Sequence, residues 1–128
     1  MSSFVDSLKF HADTLALRSR RNNVLATNIA NAATPNFKAR DVNFDAEMRK
    51  ISGESVMNTT HSKHFPIAGL REGELGYRQA INPSLDGNTV EMVVEQTEFS
   101  ENAIRYQTSL TFLNGRISGL MSATRGER

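Results

Sequence analysis

The sequence predicts a mainly α fold: long N- and C-terminal helices pair as an antiparallel coiled coil around an irregular middle segment with room for a short β-hairpin. Three observations point to it. All three prolines (Pro35, Pro66, Pro83) and five of the eight glycines fall between residues 35 and 87, and the first 33 residues contain neither; such residues break helices. Both flanks carry apolar residues at alternating steps of three and four, the pattern of a coiled-coil seam. Each flank meets the middle at a turn, Thr34-Pro35-Asn36 on one side and Asp86-Gly87-Asn88 on the other. The chain divides accordingly into 1–34 and 88–128, the two helices of the core, and 35–87 between them.

The first helix is expected from Ser3 to Ala32. Its seam reads Val5, Leu8, Ala12, Leu15, Ser19, Asn22, Ala26 and Ile29. It stops at Thr34-Pro35, because the proline ring pushes Thr34 out of the α region and Pro35 has no N–H to donate. Asn36 suits a turn position with positive φ.

The middle segment is less regular. Ala46 to Ile51 forms a short helix, and Leu70–Gly76 with Gly76–Ile81 forms a small hairpin around Glu72-Gly73.

The second helix is expected from Asn88 to Ala123, with the seam Phe99, Ala103, Tyr106, Leu110, Leu113, Ile117 and Leu120. Its length is about 50 Å at 1.5 Å per residue. A globular domain of this size has a radius of gyration near ~14 Å, so the shape is elongated. Asn88 and Glu91 have capping-box spacing. Glu91, Glu95, Glu98 and Glu101 crowd the first third, where the macrodipole favours carboxylates.

A chain of 128 residues suits one domain. A formal net charge of +1 gives no electrostatic reason to bind nucleic acid or an anionic membrane. There is no cysteine, hence no disulfide framework or thiolate metal site. Asp6, Lys9 and His11 interrupt any signal-peptide core, and no stretch reaches the roughly 20 apolar residues of a membrane span. The chain is expected to stay in the cytosol or to leave without a cleaved signal.

No catalytic constellation appears: there is no nucleophile elbow, P-loop or dinucleotide fingerprint. His61 and His64 lack a third ligand and read as a solvated loop rather than a metal site. Asp41 and Asp45 beside Lys38 and Arg40 read as surface ion pairs. No catalytic, cofactor or metal residues are assigned, and no small-molecule substrate.

Arg18, Arg20 and Arg21 form a basic cluster without the stripe or stacking aromatics that nucleic acid requires. An end-to-end antiparallel register sets them opposite residues 105 to 108, which offer no carboxylate, so their partners are expected on a neighbouring subunit. Gly115 and Gly119 lie inside the second helix at a cost of about 1 kcal/mol each relative to alanine. They read either as a frayed C-terminal helix or as small residues that admit a close-packed partner helix, and the off-seam apolar residues support the second reading. Phe112 and Met121 on the second helix, with Phe10, Leu17 and Leu25 on the first, lie off the seams. Helices apolar on more than one side need partners beyond each other. Arg18, Arg20, Arg21, Phe112, Gly115 and Gly119 are therefore the candidate assembly interface.

The stretch from Asn22 to Ala39 resembles the N-terminal signature of the flagellar rod and hook axial protein family. The match is carried by Asn22, Asn23, Asn28, Ala30, Asn31, Thr34, Pro35, Phe37 and Lys38; Asn36 stands where the family commonly has Gly. The segments Pro83 to Met92 and Glu101 to Gln107 resemble the family's short proximal-rod members. The resemblance implies a structural subunit that leaves the cytosol unfolded through the flagellar type III export apparatus, without signal cleavage. It implies assembly in the periplasmic rod of the basal body. The implied neighbours are copies of itself, other proximal rod proteins, and the MS ring through a FliE-type adaptor. The competing reading is a soluble helical adaptor or secretion chaperone that holds a partner helix in a groove.

Overall fold

The computed structural model describes residues 2–52, 75–80, 82 and 84–126. Helix α1 spans Ser2–Ala30, strand β1 Arg40–Val42, helix α2 Phe44–Ile51, strand β2 Leu75–Tyr77 and helix α3 Met92–Arg125. The two long helices pack against each other, β1 and α2 lie against α1, and β2 pairs with β1. The pairing is antiparallel: Asn28 meets Glu95, Asn22 meets Asn102, and Ser7 meets Arg116. This register is displaced by nearly one helical turn from the simple end-to-end one.

α1 ends at Ala30 in a run of turns, with Thr34 N–H bonded to the Asn31 carbonyl and Phe37 N–H to that of Thr34. Asn36 takes φ 59°, the positive value that its short polar side chain tolerates. α2 starts at Phe44, earlier than Ala46, because Asn43 caps it: its side chain accepts from the Ala46 N–H at 3.2 Å. Asp45 and Glu47 in its first turn and Arg49 and Lys50 in its last complement the helix dipole.

The strands pair antiparallel with Arg40 opposite Tyr77, Asp41 opposite Gly76 and Val42 opposite Leu75. Leu75–Tyr77 thus finds its partner more than thirty residues upstream. The segment 70–74 that would complete a local hairpin, and likewise His61 and His64, lie outside the described residues.

α3 begins at Met92 rather than Asn88. Its N-cap position is Glu91, which makes no side-chain cap bond, so the capping box does not form. It ends at Gly126, which takes the left-handed conformation at φ 66°.

The core is narrow. Among the described residues the most deeply buried apolar side chains are Leu17, Leu25, Ala39 and Val42. Equally buried are five polar ones: Thr14, Asn28, Asn88, Glu95 and Asn102. The α1 seam is only partly covered: Leu8, Leu15 and Ile29 are half-buried, whereas Ala12 is exposed and Val5 is 61% exposed. The deepest line on α1 instead runs through Thr14, Leu17, Leu25 and Asn28. The reason is geometric: α1 has two neighbours, α3 on one side and β1 with α2 on the other, so the stripe between both is buried most. On α3, Phe99, Ala103, Tyr106, Leu110, Leu113 and Leu120 are half-buried, and Ile117 is 39% exposed.

Candidate functional site

Two regions carry the function-bearing chemistry: a polar joint where the middle segment meets both long helices, and the outward faces that this joint positions.

The joint is centred on Glu95, whose side chain is wholly enclosed. One carboxylate oxygen accepts from Arg78 Nη1 at 2.9 Å and the other from Asn28 Nδ2 at 3.0 Å. Arg78 also donates to Asp41. Arg21 grips Asp41 with Nε and Nη2 at 3.0 and 2.9 Å, and Nη2 reaches Glu98 at 2.8 Å. Five charged groups from α1, β1, the segment after β2, and α3 thus share one cluster. Burial would push the Asp41 carboxyl up, but hydrogen bonding and charge from Arg21, and then Arg78, hold it below the ordinary value. The same contact with Asp41 raises the Arg21 guanidinium against its own desolvation.

Asparagines tie the backbone into this cluster. Asn28 pairs with Arg40 both ways, its amide donating to the Arg40 carbonyl at 2.7 Å and its carbonyl oxygen accepting from the Arg40 N–H at 3.1 Å. Asn102 donates to the Arg18 carbonyl and to Asn22 Oδ1, both at 2.8 Å. Asn88 donates to the carbonyls of Asn31, Ala32 and Thr34 at 2.9 to 3.1 Å, closing the frayed end of α1. These carbonyls belong to the turns that carry the chain away from α1.

The loop after α1 is held against the segment 84–89. Asn36 N–H bonds to the Asp86 carbonyl, Thr89 N–H to that of Phe37, and Ala39 N–H to Thr89 Oγ1. Lys38 reaches the Gly87 carbonyl. Gly87 has φ 74°, and a Cβ there would lie 2.7 Å from Asn36 Oδ1. Two turns with left-handed residues, Asn36 and Gly87, therefore nest against one another.

Asn22, Asn28, Asn31, Thr34, Phe37 and Lys38 all bond within the joint. Asn23 is exposed and accepts from Thr27 through its backbone; Ala30 and Pro35 are exposed. Arg21 finds its carboxylates inside its own chain, contrary to the expected neighbour. The helices' offset register, and Asp41 arriving from β1, supply the acids that α3 alone did not. Asp41 is accordingly a joint residue and not half of a surface pair with Lys38 or Arg40. Arg18 lies over the Phe44 ring at 4.7 Å, and its Nε is buried with no hydrogen-bond partner among the described residues. Arg20 is exposed.

The outward faces are apolar. Val93, Ile104, Phe112 and Met121 on α3 are 77%, 69%, 64% and 47% exposed. Val93, Ser100, Ile104, Thr111 and Gly115 share one side of the helix by their spacing. The hydroxyls of Thr97, Ser100, Thr108 and Thr111 bond back to carbonyls four residues earlier. They turn carbon outward and add to the apolar character of this side. At Gly115 and Gly119 a Cβ would meet nothing beyond its own helix within 4 Å.

The seam of α3 leads back by three residues from Phe99 to Gln96, so Glu95 and Asn102, seven residues apart on one stripe, lie beside it and not on it. Nothing in the pattern around Arg78 signals its role.

No group of three or more His, Asp or Glu among the described residues is arranged to hold a metal ion, and no described helix is long and apolar enough to cross a membrane. A family model described as flagella basal body rod protein matches residues 8–38, which include most of the signature loop. The flagellar basal body rod protein FlgB of Cereibacter sphaeroides is 57% identical over 99% of this chain and all of the relative. FlgB of Aeromonas hydrophila is 43% identical over 98% of both chains, and that of Escherichia coli 42% over 91% of both. With such identity across nearly the full length, this chain belongs to the FlgB family of flagellar basal body rod proteins.

Proposed function

We propose that this chain is a structural subunit of the cell-proximal rod and not an enzyme. It is exported unfolded by the flagellar type III apparatus without signal cleavage, and assembles in the periplasm by helix packing. Residues 1–34 and 88–128 supply the coiled-coil core, and 35–87 the segment that meets neighbours. Those neighbours are further copies, other proximal rod proteins, and the MS ring through a FliE-type adaptor. The observation that carries this reading is the outward side of α3. A helix packed against α1 on one side keeps Val93, Ile104 and Phe112 exposed on the other. Exposed apolar side chains in a line are the mark of a surface that another chain covers. Phe112, Gly115 and Gly119 extend this surface toward the C-terminal end of α3, with Arg18 and Arg20 as candidate contacts on α1.

The test has two arms. The chain should appear outside the cytosol only when the flagellar exporter is active; retention in the cytosol regardless would favour the adaptor or chaperone reading. Phe112→Glu should leave the fold of the purified chain intact and abolish motility and rod recovery. Normal rods from that variant would remove the α3 face from assembly.

A further inference from the structure

Most polar groups of the first half that lie in the joint find partners in the second. The carbonyls at the end of α1 are closed by Asn88. The loop before β1 is bonded to Asp86 and Thr89, and the Ala39 carbonyl accepts from the Arg78 N–H. Asp41 is completed by Arg78, and Asn28 by Glu95. The dependence is mutual, since the buried Asn102 amide nitrogen donates to the Arg18 carbonyl and Asn22 Oδ1 of the first half. A half that forms alone leaves these groups to water and gains none of the charge-assisted and buried hydrogen bonds of the joint to offset the entropy of ordering its chain. The apolar reward is small on either side, because Leu17, Leu25, Ala39 and Val42 are the principal buried apolar groups among the described residues.

We infer that the polar joint is a folding gate: residues 2–52 hold no stable structure until residues 78–102 reach them, so the two halves open and close as one unit. The use of such a gate rests on the export reading; its physics does not. During synthesis the first half emerges well before α3 and stays open. Any factor that holds the first turns of α3 keeps the whole chain unfolded, with no need to grip α1. An exporter or escort then controls a 128-residue chain through one short segment.

Native-state hydrogen exchange on the full-length purified chain tests this, with amides followed in low guanidinium. Amides of Val24 to Asn28 in α1 and of Glu95 to Asn102 in α3 should merge into one opening reaction with a shared denaturant dependence. In Asn88→Ala, whose lost amide bonds reach only the turns that follow α1, both sets should speed up by a common factor of about tenfold. The inference is overturned if α1 amides stay protected while those of α3 exchange, or if the variant accelerates one set alone. Should Asn88→Ala be unfolded at rest, Thr89→Val, which removes the bond to Ala39 N–H, gives the same comparison at smaller amplitude. A chain that reaches the rod yet opens α1 and α3 separately sinks the gate and leaves the rod reading standing. A chain that opens as one but is never exported does the reverse.

Discussion

Replacing Glu95 by alanine is the sharpest perturbation of the joint. The side chain is wholly enclosed and satisfies Arg78 and Asn28 at once. Removing one partner of a buried ion pair costs about 3–5 kcal/mol, because the other charge stays buried. Two features move this chain to the lower end. Arg78 keeps Asp41 and is 23% exposed, and Asn28 keeps its pairing with the Arg40 backbone. The expected loss is therefore ~3 kcal/mol on the scale of, against the 5–15 kcal/mol of a typical domain. With a urea m-value of ~2 kcal/mol/M the midpoint falls by ~1.5 M. Circular dichroism at 222 nm across a urea titration reads it. Glu95→Gln keeps the shape and part of the hydrogen bonding, and should lose about half as much. In a double-mutant cycle, Glu95→Ala with Arg78→Ala should show a coupling of at least ~1 kcal/mol. A Glu95→Ala midpoint within 0.2 M of wild type, about 0.4 kcal/mol at that slope, would mean that the cluster is bystander chemistry and that apolar contacts alone fix α3.

Three further outcomes separate the joint from the surface. Breaking the Arg105–Glu101 pair, which is 60% and 50% exposed, should change the unfolding free energy by less than ~0.5 kcal/mol. Gly87→Ala should cost about 1–2 kcal/mol from its positive φ and the close Asn36 side chain, whereas Asn36→Gly should be near neutral, as read by thermal melts. Asp41 titrates below its ordinary value of 3.8 in the folded chain, so the unfolded chain binds protons first as pH falls. Its contribution is complete above the unfolded value and drains as pH drops toward the lower folded one; the urea midpoint should fall more steeply below pH 4 in wild type than in Asp41→Asn.

The gross architecture was legible because its signals are local and periodic. Proline and glycine placement marked off the middle, and steps of three and four marked both long helices. Asn36 was readable as a left-handed turn residue because few other side chains tolerate that backbone. The joint was much less visible. Arg21 and Asp41 are twenty residues apart and Arg21 and Glu98 seventy-seven, so no window of sequence contains the cluster. Glu95 looked like a dipole-compensating surface acid because its first-third position in the helix explained it adequately. Asn88 looked like a cap for the helix it precedes, yet its amide closes the helix that ended more than fifty residues earlier. The deepest line of α1 runs beside the seam for a related reason: heptad spacing presumes one partner helix, and α1 has a second neighbour in β1 and α2.

A centre built from Glu95, Asn28, Asn102 and Asn88 also sets how the molecule responds to temperature. Exposing apolar surface raises the heat capacity on unfolding, and exposing polar surface lowers it. A chain whose middle is rich in amide and carboxylate groups therefore has a smaller heat-capacity increment than an oil-centred domain of equal length. Its stability curve is correspondingly flat, and the grip between the two long helices varies little between a cold cell and a warm one.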